Sequence, residues 1–382
     1  MARKHKGKSK RRVKDWQVRY AAGEHVEDAA NREKLSRQEV KLREDRFALS
    51  TDETPDDWTQ VEGQVTGMFR RGVFVRVEGK DLYCGIAKTF RPPATPDQAY
   101  DVIASTPLTV GDEVTLGLTP EEHTHGQTHL DRNRMEGMVL ARQERTCALA
   151  RPMPISSKRR EDHETSPLKV IVANFDTLLI VASIQSPPLK PGVIDRFLIA
   201  AERGQMDAVV VINKIDLAVP DDEFLASLRN GGVKVILSSA ETGEGIEAVR
   251  EQLAGKKSVL AGLSGVGKST LVNALLPGTD AVTREVRGKD QRGRHTTSQS
   301  RVYDLPDGGQ LVDTPGIREI AIHMEPAELT WYFPEFLDIA PNCRFRNCTH
   351  THEPGCAIQS AVESGDLTQD RYDRYLRILD TL

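Results

Sequence analysis

No apolar run in this 382-residue chain approaches the roughly 20 residues that a bilayer-spanning helix requires, and that excludes helical membrane insertion. The N-terminus is basic but carries no apolar stretch of the kind found in a secretory signal, so export is not expected. Cysteine is scarce: there are five, and three of them fall between positions 343 and 356. That number and spacing argue against a disulfide framework and suit a metal site in a reducing, cytoplasmic compartment. Aromatic residues make up only 5% of the chain, which leaves few faces on which bases could stack.

What is present is unevenly distributed. The formal net charge is −4, yet nine of the first twenty residues are Lys or Arg and only Asp15 is acidic. Residues 1–55 therefore read as a basic, flexible extension without a core of its own, followed by a turn-rich spacer at Thr51–Pro55. From Gln60 to about Ala150, short β-branched or alternating runs are separated by Gly63, Gly67, Gly72, Gly79 and Gly111. About five strands in this span predict a small barrel over 56–155, of OB-fold type or another small β-domain, with Arg91–Pro107 as a long loop. Cys84 and Cys147 are expected in the core.

Over 165–325 the texture changes to compact apolar runs: Lys169–Ala173, Thr177–Ala182, Ala208–Ile212, Val233–Leu237 and Ser258–Ala261. Amphipathic segments at Val193–Arg203, Asp221–Leu228 and Ile246–Leu253 lie between them. This alternation predicts a doubly wound α/β domain whose strands form a parallel sheet buried on both faces. Residues 326–382 close the chain with a Cys/His cluster and a charged helix over Tyr372–Leu382, read as a small metal-stapled domain.

Gly262-Leu263-Ser264-Gly265-Val266-Gly267-Lys268-Ser269 fits the phosphate-loop pattern and has the required strand before it and helix after it. Glycines let backbone N–H groups turn toward phosphate, and the helix N-terminus adds partial positive charge. Lys268 is expected on the β- and γ-phosphates, Ser269 on Mg²⁺, and Thr270 continues the loop into its helix. Asn213-Lys214-Ile215-Asp216 ends an apolar strand, where ligand loops of such sheets lie. A carboxylate at Asp216 suits guanine, which offers N1–H and its 2-amino group as paired donors. Asn213 would hold neighbouring loops, the Lys214 stem would cover the ring face, and a backbone N–H at Ser239 or Ala240 would meet the guanine O6.

Asp313-Thr314-Pro315-Gly316 ends another strand, placing Asp313 near Mg²⁺ and the Gly316 N–H near a γ-phosphate. Where many GTPases carry a water-orienting glutamine, this chain has Ile317, which cannot position a nucleophile. Arg287–Thr297 reads as the first switch, with Thr296 or Thr297 completing the Mg²⁺ shell. His295 is the nearby side chain able to orient water near neutral pH, with simple RNA or partner contact as the alternative. Cys343, Cys348, His350 and Cys356 supply three thiolates and an imidazole, enough for one closed, structural Zn²⁺ site, with His352 as a competing ligand.

The order of these motifs is rotated: base-reading tetrad first, phosphate loop second, Asp313 loop last. Together with Gly293-Arg-His-Thr-Thr297 and Asp313-Thr-Pro-Gly-Ile-Arg-Glu319, the set resembles the ribosome small-subunit-dependent GTPase A family, whose G domain is circularly permuted. The resemblance covers Gln60 to the C-terminus and favours His350 over His352. It implies an OB-fold barrel, a permuted G domain and a zinc domain. It further implies Mg²⁺-dependent GTP hydrolysis stimulated by the small ribosomal subunit late in its maturation, followed by release. Contacts with 16S rRNA, a monomeric state and a cytoplasmic location go with it. A non-catalytic RNA-binding module that uses guanine nucleotide as a conformational ligand, and a P-loop ATPase, are the competing readings.

Overall fold

The computed structural model describes residues 58–69, 72–91, 107–118, 135–152, 168–276, 300–314, 317, 320–322 and 324–382. The basic extension, most of the expected loop after Arg91, and the switch with His295, Thr296 and Thr297 lie outside them, as does Gly316.

The first five strands are β1 (Thr59–Met68), β2 (Val73–Val77), β3 (Lys80–Arg91), β4 (Glu113–Leu118) and β5 (Gly137–Arg142). They close into a barrel in the order β1-β2-β3-β5-β4, with β3 and β5 parallel and β1 pairing β4 to complete the ring. Inward positions along each strand fill it: Val65, Val73, Val75, Cys84, Val114, Leu116 and Val139 are all fully buried. This is the expected five-stranded architecture, and both lone cysteines are core residues.

Two further strands, β6 (Ala148–Pro152) and β7 (Leu168–Ala173), pair antiparallel as a separate ribbon. The run at Lys169–Ala173 was expected in the parallel sheet, and its burial explains the difference. Lys169 is exposed and Ile171 only half-buried, the alternation of a strand covered on one face. By contrast, all seven residues of β8 (Thr177–Ser183) are buried.

The main sheet combines β8 with β9 (Asp207–Asn213), β10 (Lys234–Leu237), β11 (Lys257–Ala261), β12 (Arg301–Asp304) and β13 (Gln310–Asp313). Its order is β10-β9-β8-β11-β13-β12, parallel except for the edge strand β12. Side chains alternate between two cores. Leu179, Val181, Val211 and Leu260 pack on one face with α3 (Ile246–Leu253) and α4 (Lys268–Leu275). Leu178, Ile180, Val210 and Val259 face the other side, against α1 (Pro191–Arg203) and Leu228 of α2 (Asp222–Asn230). Asp221 caps α2 by accepting from the Phe224 N–H at 2.7 Å.

That second core does not stop at the sheet. Ile317, Ile320, Ile322, Met324, Leu329, Phe333 and Phe336 continue it into the C-terminal module, with α5 (Pro334–Leu337), α6 (Ala357–Ser364) and α7 (Gln369–Leu379). A charged clasp seals the joint. Arg371 donates to Asp195 of α1 at 2.8 Å and to Glu335 at 3.1 Å, and Arg374 donates to Asp195 at 3.3 Å. The Arg371 guanidinium also lies 4.3 Å from the Phe333 ring centroid. Burial pushes the Asp195 carboxyl up, while Arg374 and Arg371 pull it back toward ionisation.

The barrel is held by a comparable bond. Asp112 and Arg145 are fully buried and joined at 2.6 Å, with the Thr109 N–H donating to the second Asp112 oxygen. Arg76 reaches from β2 to both carboxylate oxygens of Asp304 at 2.8 Å.

Candidate nucleotide and metal sites

The loops that carry the motifs leave β9, β10, β11 and β13 at their C-terminal ends, the edge where open α/β sheets bind ligands. β11 is fully buried apart from its first residue and delivers the phosphate loop directly into α4. Gly262 has φ +135° and Gly267 φ +93°, so both occupy backbone conformations that other residues rarely adopt. Space forbids a side chain as well. A Cβ at 262 would sit 2.2 Å from the Val181 carbonyl oxygen, and one at 267 would sit 2.4 Å from Asn213 Nδ2. Val266, between them, is buried and pins the loop to the core. Lys268 Nζ donates to the Gly262 and Leu263 carbonyls at 2.8 and 2.7 Å, which holds the ammonium against the loop. Ser264 is exposed, while Gly265, Ser269 and Thr270 are half-buried.

Asn213 joins three of the motifs. Its side chain is 1% exposed, and Nδ2 donates to the Val266 carbonyl of the phosphate loop at 2.9 Å. Oδ1 accepts from the Ala240 N–H at 3.0 Å and from Ser238 Oγ at 3.4 Å. Lys214 adds a second tie, with Nζ donating to the Gly265 carbonyl at 2.6 Å and to the Ser186 carbonyl at 2.7 Å. The Ile215 N–H donates to the Ser238 carbonyl. Asp216 is exposed at the mouth, and its Oδ1 accepts from Ser239 Oγ at 2.6 Å. Ser239 is itself fully buried and accepts from the Thr242 N–H at 3.2 Å, so its hydroxyl proton is committed to Asp216.

Asp313 ends β13 opposite Leu260, one strand position before Ala261 and the phosphate loop. The Ile317 side chain is 2% exposed and packed in the core, and its carbonyl accepts from the Gly262 N–H at 3.3 Å. The position that holds a water-orienting glutamine elsewhere is here a structural anchor.

In the C-terminal module, one donor atom each from Cys343, Cys348, His350 and Cys356 lies within 4.8 Å of the others. His350 Nδ1 faces the sulfurs, 3.6 Å from Cys343 Sγ and 3.4 Å from Cys356 Sγ. His352 is not in the cluster; its Nδ1 is 2.8 Å from Thr351 Oγ1. Burial pushes the Cys348 thiol up to about 12, raises that of Cys356, and lowers the His350 pKa. Three sulfurs and one imidazole nitrogen converging in this way form a donor set that fits a thiophilic metal ion. Glu353 fastens the ligand loop. Despite the cost of burial, bonds from Thr349 Oγ1 at 2.6 Å and three backbone N–H groups hold its carboxyl well below the usual range.

Sequence reasoning missed Ser186, Asp195 and Thr330. Ser186 had a signal, since Ser-Pro-Pro comes two residues after a buried strand on the ligand edge. Asp195 acts through residues far along the chain, Thr330 lies outside any motif, and neither had a signal.

Comparison with known proteins agrees with this geometry. The family model described as RsgA GTPase matches residues 148–323. A Chlorobaculum tepidum protein named small ribosomal subunit biogenesis GTPase RsgA is 42% identical over 250 residues, covering 65% of this chain and 79% of that one. A Yersinia pseudotuberculosis protein of the same name is 36% identical over 350 residues, covering 87% and 90%. The crystal structure of YjeQ from Thermotoga maritima superposes with a TM-score of 0.57 at 31% identity, covering 84% of this chain and 98% of that one. The structure of YloQ, described as a circularly permuted GTPase, has the same fold at 24% identity and a TM-score of 0.56. With barrel, rotated sheet and Cys/His module in one chain, and relatives that span nearly all of it, this protein belongs to the RsgA GTPase family.

Proposed function

We propose that this chain is a Mg²⁺-dependent GTPase that binds the small ribosomal subunit late in its maturation, hydrolyses GTP faster there, and then leaves. The observation that carries the reading is the Asn213 carboxamide, which joins phosphate loop and base loop in one hydrogen-bonded frame. A frame that fixes triphosphate and base relative to each other is what a GTPase needs, because catalysis of phosphoryl transfer rests on positioning and charge. The non-catalytic alternative is not favoured, since the chain is a member of a GTPase family.

In this reading Gly262–Thr270 cradle the phosphates, Lys268 supports the transferring group, and Ser269 and Asp313 hold Mg²⁺ with Thr296 or Thr297. Asp216 reads the guanine edge, and the Ser239–Ala240 backbone meets O6. Gly316 senses the γ-phosphate. His295 takes the place of the missing glutamine, a role that full stimulated turnover in His295→Ala would remove. Cys343, Cys348, His350 and Cys356 would hold one Zn²⁺, and four protein ligands would leave it a structural role in folding the module. The working division is an extension (1–55), an OB-fold domain (56–155), a permuted G domain (165–325) and a zinc domain (326–382). The protein acts as a cytoplasmic monomer on 16S rRNA, held by shape and phosphate contacts.

Rotation of the G domain places the zinc domain directly after the Asp313 loop, so the γ-phosphate state passes to it through residues 317–335. Sedimentation with purified small subunits tests the partner. The protein should co-pellet with a non-hydrolysable GTP analogue and remain in the supernatant with GDP. Equal pelleting in the two states would contradict the release step.

A further inference from the structure

We propose that Thr330 is the positioning residue of the metal centre, and that it forms one end of a strut running to the phosphate loop. The inference rests on the metal reading above. His350 directs Nδ1 at the sulfurs, so the proton of its neutral ring belongs on Nε2. Thr330 Oγ1 lies 3.1 Å from Nε2 and accepts that proton's hydrogen bond. This fixes the ring tautomer and its rotation and raises the basicity of Nδ1.

Thr330 does not belong to the ligand loop. It sits on the 3-10 helix Pro326–Tyr332, which comes from the segment that leaves the Asp313 loop. The helix has little room to shift, because Leu329 and Phe333 on either side of Thr330 are 0% and 1% exposed. Tyr375, also fully buried, packs on Phe333 with its ring centroid 5.2 Å away and donates from its hydroxyl to the Thr349 carbonyl. Tyr372 donates to the carbonyl of His350 itself at 2.5 Å.

The far end of the same segment is equally well held. The Ile317 carbonyl accepts from the N–H of Gly262, the first glycine of the phosphate loop. Between the two ends, Ile320, Ile322, Met324 and Leu329 are buried in one continuous core. The described residues of this segment therefore combine a backbone hydrogen bond at the phosphate loop with a side-chain hydrogen bond at the metal ligand. A change in the Gly262 loop is transmitted to the imidazole through Thr330, and metal loss is transmitted in the reverse direction.

The test uses the full chain, wild type and the variants Thr330→Val and Thr330→Ser, loaded with Zn²⁺ or Co²⁺. Thr330→Val should release Zn²⁺ to excess chelator on the order of 10–100 times faster than wild type. It should also shift the cobalt ligand-field bands, and Thr330→Ser, which keeps the hydroxyl, should restore both properties. In the wild type, GTP analogue and GDP should give different release rates, and Thr330→Val should erase that difference. Matching spectra and release rates in Thr330→Val and wild type would overturn the positioning role. Nucleotide-independent release from the wild type would overturn the strut, and that arm does not depend on how the variants fold. A wild type that takes up neither metal would overturn the metal reading along with this one, so the two failures are distinguishable.

Discussion

Asp216→Asn should transfer the protein's preference from guanosine to xanthosine nucleotides. The hydrogen bonds around Ser239 dictate the direction. Its hydroxyl receives the Thr242 N–H and so must donate to Oδ1 of residue 216. An asparagine there keeps its oxygen facing Ser239 and turns its NH₂ outward, where Asp216 offers Oδ2. That NH₂ opposes the 2-amino donor of guanine but pairs with the 2-carbonyl of xanthine, while the oxygen can still accept from the N1–H that both bases carry. One charge-assisted bond of about 1.5–3 kcal/mol is lost, which corresponds to GTP binding weakened by roughly 10–10²-fold, and the second bond loses its charge assistance. Titration with fluorescent GDP and XDP checks this. Unchanged guanosine affinity would mean that the tetrad does not read the base.

Removing the metal should loosen more than the loop that binds it. Structural Zn²⁺ contributes on the order of 10–16 kcal/mol to isolated zinc-finger folds near neutral pH, so its loss should open the ligand loop here. As the ligand loop opens, His350 withdraws from Tyr372, and α7 loses its support. Arg371 and Arg374 then leave Asp195, which is 3% exposed and has no other cation in the clasp. An abandoned buried carboxylate costs about 3–5 kcal/mol, so α1 should open as well. Hydrogen exchange before and after chelation should show protection lost in α6, α7 and α1, with the barrel retained. The barrel keeps its own closed ring and the Asp112–Arg145 bond. Unchanged protection of α1 in verified metal-free protein would contradict this.

Much of this architecture was legible in the sequence because it rests on local signals. Apolar runs such as Thr177–Ala182 leave no choice but burial on both faces, and Gly262–Ser269 carries strand, turn and helix in a few residues. The Cys/His spacing pointed to the three cysteines and left His350 and His352 as rivals, and the family resemblance favoured the His350 that joins the cluster. Where the sequence misled, the cause was pairing. Lys169–Ala173 has the composition of a central strand, but its partner is β6, and only the exposed Lys169 hinted at one covered face. The edge strand β12 is four residues of mixed polarity and has no periodic signature. The clasp at Asp195 depends on residues 176 positions apart, and the hydroxyl at Thr330 meets a ring 20 residues further on, outside any motif that would mark it. Nothing near either residue in the chain announces the partner.

The most direct measurement of the central claim is multiple-turnover GTP hydrolysis by the wild-type chain, alone and with purified small ribosomal subunits, with Lys268→Ala as the inactive control. Ile317 is locked into the core and supplies no water-orienting group, so basal turnover should be slow. Small subunits should raise it by on the order of 10–100-fold, a modest share of the 10³–10⁵ that a group supplied from outside contributes in other GTPases. Turnover that is identical with and without subunits, or that persists in Lys268→Ala, would contradict the account.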